Sequence, residues 1–134
     1  MTAQLGRWAA RGAALFCLVF AAFQVALALG APYGDMAWGG QTPVLPTPMR
    51  WASAGAALYL VAAAGLMRVR AGDWAPNWPR WPVFAFNVFL TLQLAFNAMA
   101  NLAGDSTAER YGMTMAAVVG TVLCFVALRA PLAR

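Results

Sequence analysis

The chain has 134 residues, of which 63% are hydrophobic, 10% are charged and none is histidine, and its mean hydropathy is +0.65. A water-soluble domain is typically about one quarter charged and under half apolar, so this chain has too little polar material to cover a globule in water. The composition excludes an ordinary soluble domain and predicts a protein of the lipid bilayer. The net charge of +5 does not indicate nucleic-acid binding, because the arginines stand singly at the ends of apolar segments.

Four apolar segments are long enough to span a bilayer. At about 1.5 Å per residue, a hydrocarbon core of about 30 Å needs roughly 20 residues. Within a single domain, 1–134, the predicted spans are residues 12–31, 51–67, 81–103 and 111–128, and the predicted outer loops are residues 32–50 and 104–110. A cleaved signal peptide is the alternative for the first segment, since Arg7 and Arg11 precede it, but Gln24 would be unusual in such a leader.

Four spans place both termini on one side of the membrane, and the arginines indicate which side. Of the nine basic residues, all of them arginine, only Arg50 and Arg110 fall on the opposite side. The positive-inside rule therefore predicts cytoplasmic termini. The connections are short enough to join antiparallel neighbours, which predicts an all-α, up-down-up-down four-helix bundle. The arginine- and alanine-rich composition is typical of a GC-rich bacterial genome, so we expect a multi-pass protein of the bacterial inner (cytoplasmic) membrane.

The residue types that the spans lack exclude several function classes. No apolar segment contains Asp, Glu, Lys, Arg or His, which disfavours proton-coupled antiporters, histidine-ligated haem proteins and retinal proteins. Cys17 and Cys124 lie within apolar segments and form no CxxC pair, so neither a zinc site nor a disulfide framework is indicated. We predict no catalytic residue, no metal ligand and no cofactor. A membrane enzyme is left as an alternative that would depend on Asp35, Asp105 or Glu109.

A polar stripe is predicted along the third span. At about 100° per residue, its members fall within an arc of roughly 120°. They are Asn87, Gln93, Asn97, Asn101 and Asp105. Unpaired amides are costly in hydrocarbon, so the stripe is expected to face the bundle interior, a partner or water. Gln24 of the first span is placed at a similar depth to Asn97, and a contact between the two is feasible.

The stripe has two interpretations. Asn and Gln in membrane helices commonly hydrogen-bond between helices and hold a bundle together. Alternatively, the outer members line an outward-facing pocket in which aromatic and amide groups hold a small polar or cationic ligand. The candidate ligand-binding residues are then Gln24, Asp35, Trp38, Arg50, Gln93, Asn97, Asn101 and Asp105.

Two stretches on the predicted outer side carry a resemblance to a known family. The first reads LGAPYGDMAWGG at residues 29–40, followed by Leu45-Pro46 and Arg50, and the second reads NAMANL at residues 97–102, followed by Ser106, Glu109 and Arg110. They resemble the LGAPxGxxAWGG…LP…R and NxxxNL…S…ER patterns of a family of small, uncharacterised bacterial four-helix integral membrane proteins. The resemblance implies a topology and no activity. From position alone, Glu109 is interpreted as a helix N-terminal carboxylate.

Three functions are compatible with this sequence. The first is a non-enzymatic inner-membrane protein that binds a small ligand or a protein partner at its outer face. The second is an oligomeric small-solute transporter or channel, whose copies would associate through the small residues Gly112, Ala116 and Gly120. The third is an accessory subunit of a larger membrane complex. In each case the lipid bilayer is a predicted partner and nucleic acid is not.

Overall fold

A computed structural model of the chain describes residues 2–75 and 77–130. It is all-helical, and four of its helices are long and apolar enough to cross a membrane. The first three are α1 (Ala3–Ala28), α2 (Thr47–Ala71) and α3 (Arg80–Leu102). The fourth is the continuous segment Ala108–Arg129, which consists of a π-helix at Ala108–Met113 followed by α4 (Thr114–Arg129). A short 3-10 helix, Gly34–Met36, lies in the connection from α1 to α2. The predicted helical bundle with four candidate membrane helices is confirmed at this level.

Local sequence sets the ends of the helices, which differ from the ends of the apolar segments. α1 begins at Ala3, well before residue 12, because the Thr2 hydroxyl caps it by accepting a hydrogen bond from the Leu5 N–H at 3.3 Å. α2 continues past residue 67 and stops at Gly72, whose φ of 79° is the left-handed conformation that favours glycine at a helix end. Hydropathy detects the stretch that a bilayer requires, whereas a helix continues until a residue stops it.

The helices pack through small side chains. The buried core consists of Ala9, Ala10, Ala13, Ala14, Cys17, Ala63, Ala64, Met67, Ala71, Leu90, Leu94, Cys124 and Ala127. Small residues let helix backbones approach closely, as is typical of helix packing in membranes. α1 packs against both α2 and α4, and α3 packs mainly against α4, but α2 and α3 make little direct contact. The space between α2 and α3 is therefore available for a cavity.

Large apolar side chains cover the outside of the bundle. Among the most exposed are Leu15, Leu58, Phe96 and Met115, and Leu58 is 75% exposed. Soluble monomers rarely expose such contiguous apolar surface, whereas a lipid bilayer would cover it. Five tryptophans near the ends of the helices are also exposed, as is typical of the aromatic residues at a membrane interface, namely Trp8, Trp51, Trp74, Trp78 and Trp81. This surface and the four apolar helices suggest a multi-pass membrane protein.

Arg70, at the end of α2, is buried rather than solvated. Its Nη2 donates to the carbonyl oxygens of Ala127 at 2.6 Å and of Ala130 at 3.0 Å, and the residue is 5% exposed. The last carbonyl groups of a helix lack partners within that helix. Arg70 supplies a partner to the end of α4 and thereby fixes α2 against α4.

A second arginine joins α1 to the connection that follows α2. The Nε of Arg11 donates to both carboxylate oxygens of Asp73, at 3.0 and 3.1 Å, and Arg68 contacts the same carboxylate at 3.2 Å. The hydrogen bonds from Arg11, aided by the neighbouring positive charges, hold the pKa of Asp73 below its usual value of 3.8.

We expect Asp73→Asn to lower the thermal unfolding midpoint in detergent near neutral pH. A carboxyl group whose pKa is lowered by folding stabilises the folded state above its unfolded-state pKa, and this stabilisation is lost as pH falls through the folded-state pKa. The difference between wild type and variant should therefore shrink as pH falls below 3.8. Asp105→Asn is the control, because the exposed Asp105 joins no ion pair within the described ranges. A difference that stays constant with pH would contradict this assignment.

A substitution at Gly120 tests the close packing of α4. A Cβ there would lie 2.7 Å from the Phe16 ring and 3.2 Å from Cδ1 of Leu94, whereas a Cβ at Gly55 of α2 would meet nothing within 4 Å. We expect Gly120→Ala to lower the free energy of unfolding by about 1–3 kcal/mol through overpacking. Gly55→Ala should be neutral or stabilising by up to about 1 kcal/mol. Reversible unfolding in mixed micelles measures both, and equal effects would argue against the packing described here.

Candidate functional site

A cavity of about 540 Å³ lies between α2 and α3, beneath the connection from α1 to α2. Its wall is mainly apolar and aromatic, with contributions from Phe16 and Phe20 of α1, Tyr59 of α2 and Leu90 of α3. Residues 36–39 cover one end. This volume falls within the range of about 300–1,000 Å³ that is usual for small-molecule sites.

Five of the eight residues predicted to bind a ligand line this cavity. They are Gln24, Trp38, Gln93, Asn97 and Asn101. The structure thus brings the middle of the predicted polar stripe together with one residue of α1 and one of the first connection. Asp35, Arg50 and Asp105 are not among the lining residues.

The three remaining residues have positions that sequence spacing does not reveal. The Nε of Arg50 donates to the carbonyl oxygen of Ala28 at 2.8 Å, so this guanidinium caps the carboxyl end of α1. Asp35 is exposed, and its backbone carbonyl accepts a hydrogen bond from the Ser106 hydroxyl. Asp105 follows the end of α3 at Leu102 and so leaves the stripe of that helix.

Trp38 is held in a strained backbone conformation at the cavity. Its φ is 56°, and Gly39 and Gly40 follow with φ of 93° and 67°. A bulky residue rarely adopts a positive φ, and residues held in this way cluster at functional sites. The indole Nε1–H of Trp38 donates to the Oγ of the fully buried Ser53 at 3.0 Å. This bond fixes the ring between the first connection and α2.

The two connections that carry the family-like patterns contact each other. The Asp105 N–H donates to the Gly39 carbonyl at 3.2 Å, and the Gly39 N–H donates to Oε1 of Glu109 at 2.9 Å. The Ser106 hydroxyl bonds the Asp35 carbonyl on the same side. The two stretches therefore form one hydrogen-bonded cover over the cavity.

Glu109 lies in the site although it was not among the predicted ligand-binding residues; the sequence analysis named it only as a helix N-terminal carboxylate and in the enzyme alternative. It is only 4% exposed, and it is the one charged side chain among the cavity-lining residues that the structure describes. Oε1 accepts the Gly39 N–H, whereas Oε2 is buried and has no hydrogen-bond partner within residues 2–75 and 77–130. A buried carboxylate oxygen without a donor is costly. Among the unpartnered groups of the site, Glu109 is thus the most costly to bury.

The local sequence around Glu109 indicates a purely structural role, which is why it was missed. Ser106-x-x-Glu109 has the spacing of a capping box, and the Ser106 Oγ does accept the Glu109 N–H at 3.0 Å. In a capping box the glutamate side chain returns to the N-cap backbone. Here it turns to Gly39, and the π-helix at Ala108–Met113 begins at this point. Such π-helical turns are frequent at functional sites.

The amide side chains of the cavity differ in their pairing. Gln93 Oε1 accepts a hydrogen bond from the hydroxyl of Tyr59, a residue that the sequence analysis also missed in the alanine-rich α2. Gln24 Oε1 is buried and unpartnered in the part of the chain that the structure describes, and no hydrogen bond joins Gln24 to Asn97 there. Asn97 lines the cavity and is an exposed residue of α3.

Asn87, the innermost member of the predicted stripe, lies outside the cavity. It is fully buried, and neither polar atom of its side chain has a partner in the described part of the chain. Its backbone carbonyl accepts the Thr91 hydroxyl at 2.7 Å. Asn87 lies about one helical turn from Leu90 of the cavity wall.

The described residues contain no group of three or more His, Cys, Asp or Glu side chains that could hold a metal ion. Among known proteins, no family model, no curated protein and no solved structure matches this chain. The resemblance to small four-helix membrane proteins therefore stays a prediction, and the site is interpreted from its own geometry.

Gly104 provides a test of the Glu109 position. A Cβ on Gly104 would overlap Oε2 of Glu109 and lie 2.8 Å from its carboxyl carbon, whereas a Cβ on Gly112 would meet nothing within 4 Å. We expect Gly104→Ala to displace the carboxylate and to speed hydrogen exchange at the Gly39 amide, which would lose its acceptor. Gly112→Ala should leave that exchange unchanged. An unaltered Gly39 amide in Gly104→Ala would contradict this arrangement.

Proposed function

We propose that this chain is a non-enzymatic membrane protein that binds a small ligand in the cavity at its outer face. The observation that carries the proposal is the pair of buried, unpartnered oxygens in the cavity lining, Gln24 Oε1 and Glu109 Oε2. Buried polar atoms are nearly always hydrogen-bonded, and both of these belong to residues that line the cavity, so a molecule bound there would supply the missing partners.

The proposal includes a topology. Contacts between the helices support antiparallel neighbours, because Gly12 of α1 lies against Leu123 of α4 while Gly120 lies against Phe16. Arg50 near the start of α2 reaches Ala28 at the end of α1, which supports the same relation for α1 and α2. Combined with the arginine distribution, these contacts favour an up-down-up-down bundle in a bacterial inner membrane with both termini cytoplasmic. The covered end of the cavity then lies toward the outer side.

The shape of the site favours a small ligand over a protein partner. The two unpartnered oxygens lie at a concave cavity of drug-like volume, whereas protein partners bind through broader surfaces. Catalysis is disfavoured because none of the lining side chains that the structure describes is a nucleophile beside a base. The Tyr59 hydroxyl donates to a neutral amide, Gln93, and the one carboxylate accepts from a backbone N–H.

Transport is a second candidate, and one observation favours it. Asn87 is buried beyond the cavity wall, and neither polar atom of its side chain has a partner in the described ranges. Unpartnered polar atoms at this position would suit a solute path that continues from the cavity into the membrane. Association of copies through the small residues Gly112, Ala116 and Gly120 receives less support, because Gly120 packs inside the bundle against Phe16. Flux of small solutes into liposomes would support transport. Flux at background for a panel of ions and amines would exclude it for those solutes.

Substitutions on α2 test ligand binding directly. Ala56 lines the cavity, whereas Ala52, about one turn earlier, is exposed and does not line it. We expect native mass spectrometry of wild-type protein, released in mild detergent, to show a retained small molecule. Ala56→Phe should abolish that retention by filling the cavity, and Ala52→Phe should preserve it.

The same measurement identifies the alternatives. Retention that survives Ala56→Phe would place the ligand elsewhere and contradict the cavity assignment. Co-release with larger subunits, without a small molecule, would instead support an accessory subunit of a membrane complex. Unchanged unfolding midpoints in the two variants show that any loss of ligand does not come from loss of the fold.

A further inference from the structure

We propose that the ligand is an ammonium ion that bears at least one N–H and an attached apolar group, with the Glu109 carboxylate as its counter-ion. This inference rests on the proposed function and names the chemical class of the ligand. It arises from the charge of the cavity, from the kind of atoms left unpartnered, and from the aromatic wall.

The cavity lining carries a carboxyl group without a positive partner among the described residues. An ionised carboxylate removed from water is strongly disfavoured unless a positive charge or a full set of hydrogen bonds compensates it. Glu109 accepts one hydrogen bond, from Gly39, and joins no ion pair within the described residues, where both recorded pairs involve Asp73. Its sequence neighbour Arg110 is exposed and donates instead to the Gly104 carbonyl at 3.1 Å. A positive ligand would supply the missing charge.

The unpartnered atoms indicate what kind of cation fits. The two unsatisfied side-chain atoms of the cavity-lining residues, Glu109 Oε2 and Gln24 Oε1, are both oxygen acceptors. A ligand that satisfies them must donate hydrogen bonds. A primary or secondary ammonium does so, and a charge-assisted N–H···O bond is roughly twice as strong as a neutral one. A quaternary ammonium has no N–H and would leave both oxygens unsatisfied.

The rest of the wall favours an apolar group on the same molecule. Aromatic rings line the cavity beside the carboxylate, contributed by Phe16, Phe20, Trp38 and Tyr59. Aromatic faces attract cations and bury apolar groups. A bare inorganic cation would leave most of this wall without contacts.

A lipid headgroup is a second source of the same chemistry. Phosphatidylethanolamine carries a primary ammonium, and the cavity-lining Asn97 is exposed on the surface of the bundle, which a bilayer would surround. That headgroup also carries a phosphate, and no arginine is present among the described lining residues to neutralise it. The charge balance therefore favours a free amphipathic amine, and the lipid is one arm of the test.

The test compares three probes of similar shape in phosphatidylcholine nanodiscs by calorimetry. The probes are 2-phenylethylamine, its N,N,N-trimethyl derivative and the neutral 2-phenylethanol. We expect wild-type protein to bind the amine about tenfold or more tightly than either analogue, as hydrogen bonds to charged groups imply. Glu109→Gln should weaken amine binding by a similar factor and leave the alcohol unchanged. Glutamine retains an oxygen for the Gly39 N–H, so the fold should persist.

Two further variants complete the experiment. Asp105→Asn removes the same charge from an exposed position outside the cavity and should leave amine binding unchanged. If Glu109→Gln fails to fold, Gln24→Met removes the second acceptor and should also weaken amine binding selectively. Nanodiscs that contain phosphatidylethanolamine should weaken amine binding by competition if the natural ligand is that lipid, and should not affect it if the ligand is a free amine.

The outcomes separate the ligand class from the proposed function. Equal affinity for amine and alcohol, or amine binding that Glu109→Gln leaves unchanged, would overturn the ammonium assignment. Binding of the alcohol that Ala56→Phe abolishes would still support a small-molecule cavity. Failure of every probe to bind would also overturn the ammonium assignment. Native mass spectrometry of wild type and Ala56→Phe then tests independently whether the cavity holds a small molecule.

Discussion

The hydrogen bond from the Gly39 N–H to the buried carboxylate of Glu109 organises the covered end of the bundle. It joins the connection after α1 to the π-helical start of α4, two segments far apart in sequence. The bond anchors Gly39, which directly follows Trp38 and, like it, has a positive φ. Because Gly104 has no side chain, the carboxylate fits against it. This bond thus positions both the cover and the carboxyl group of the cavity, while the bond to Ser53 holds the indole.

The cavity itself follows from an uneven distribution of side-chain size. Alanines on α1 and α2, such as Ala13 and Ala63, let these helices approach closely in the core. Toward the covered end, the larger Phe16, Phe20 and Tyr59 line the cavity, and Tyr59 reaches across it to Gln93 of α3. Sequence spacing alone shows neither effect, because both depend on which helices are neighbours. The same composition that makes the bundle tight at one end leaves it hollow at the other.

Hydropathy was sufficient to predict the four helices, because the need to bury apolar length in a bilayer acts locally along the chain. The helical period also placed Gln93, Asn97 and Asn101 on one face, and all three line the cavity. Contacts between partners that are distant in sequence were not predicted. Arg50 donates to the carbonyl of Ala28 at the end of α1, and Glu109 accepts from Gly39 rather than from the start of its own helix. No local sequence pattern encodes either contact.

The two carboxylates that hold defined partners are used differently at the two ends of the bundle. Asp73 is bound by two arginines and is a structural ion pair. At the other end, the available arginines donate to backbone carbonyls, Arg50 to Ala28 and Arg110 to Gly104. Helix ends need such donors, so these side chains are committed elsewhere and neither pairs with Glu109. A buried carboxyl group without a positive partner is costly to the fold, and a cationic ligand would offset that cost.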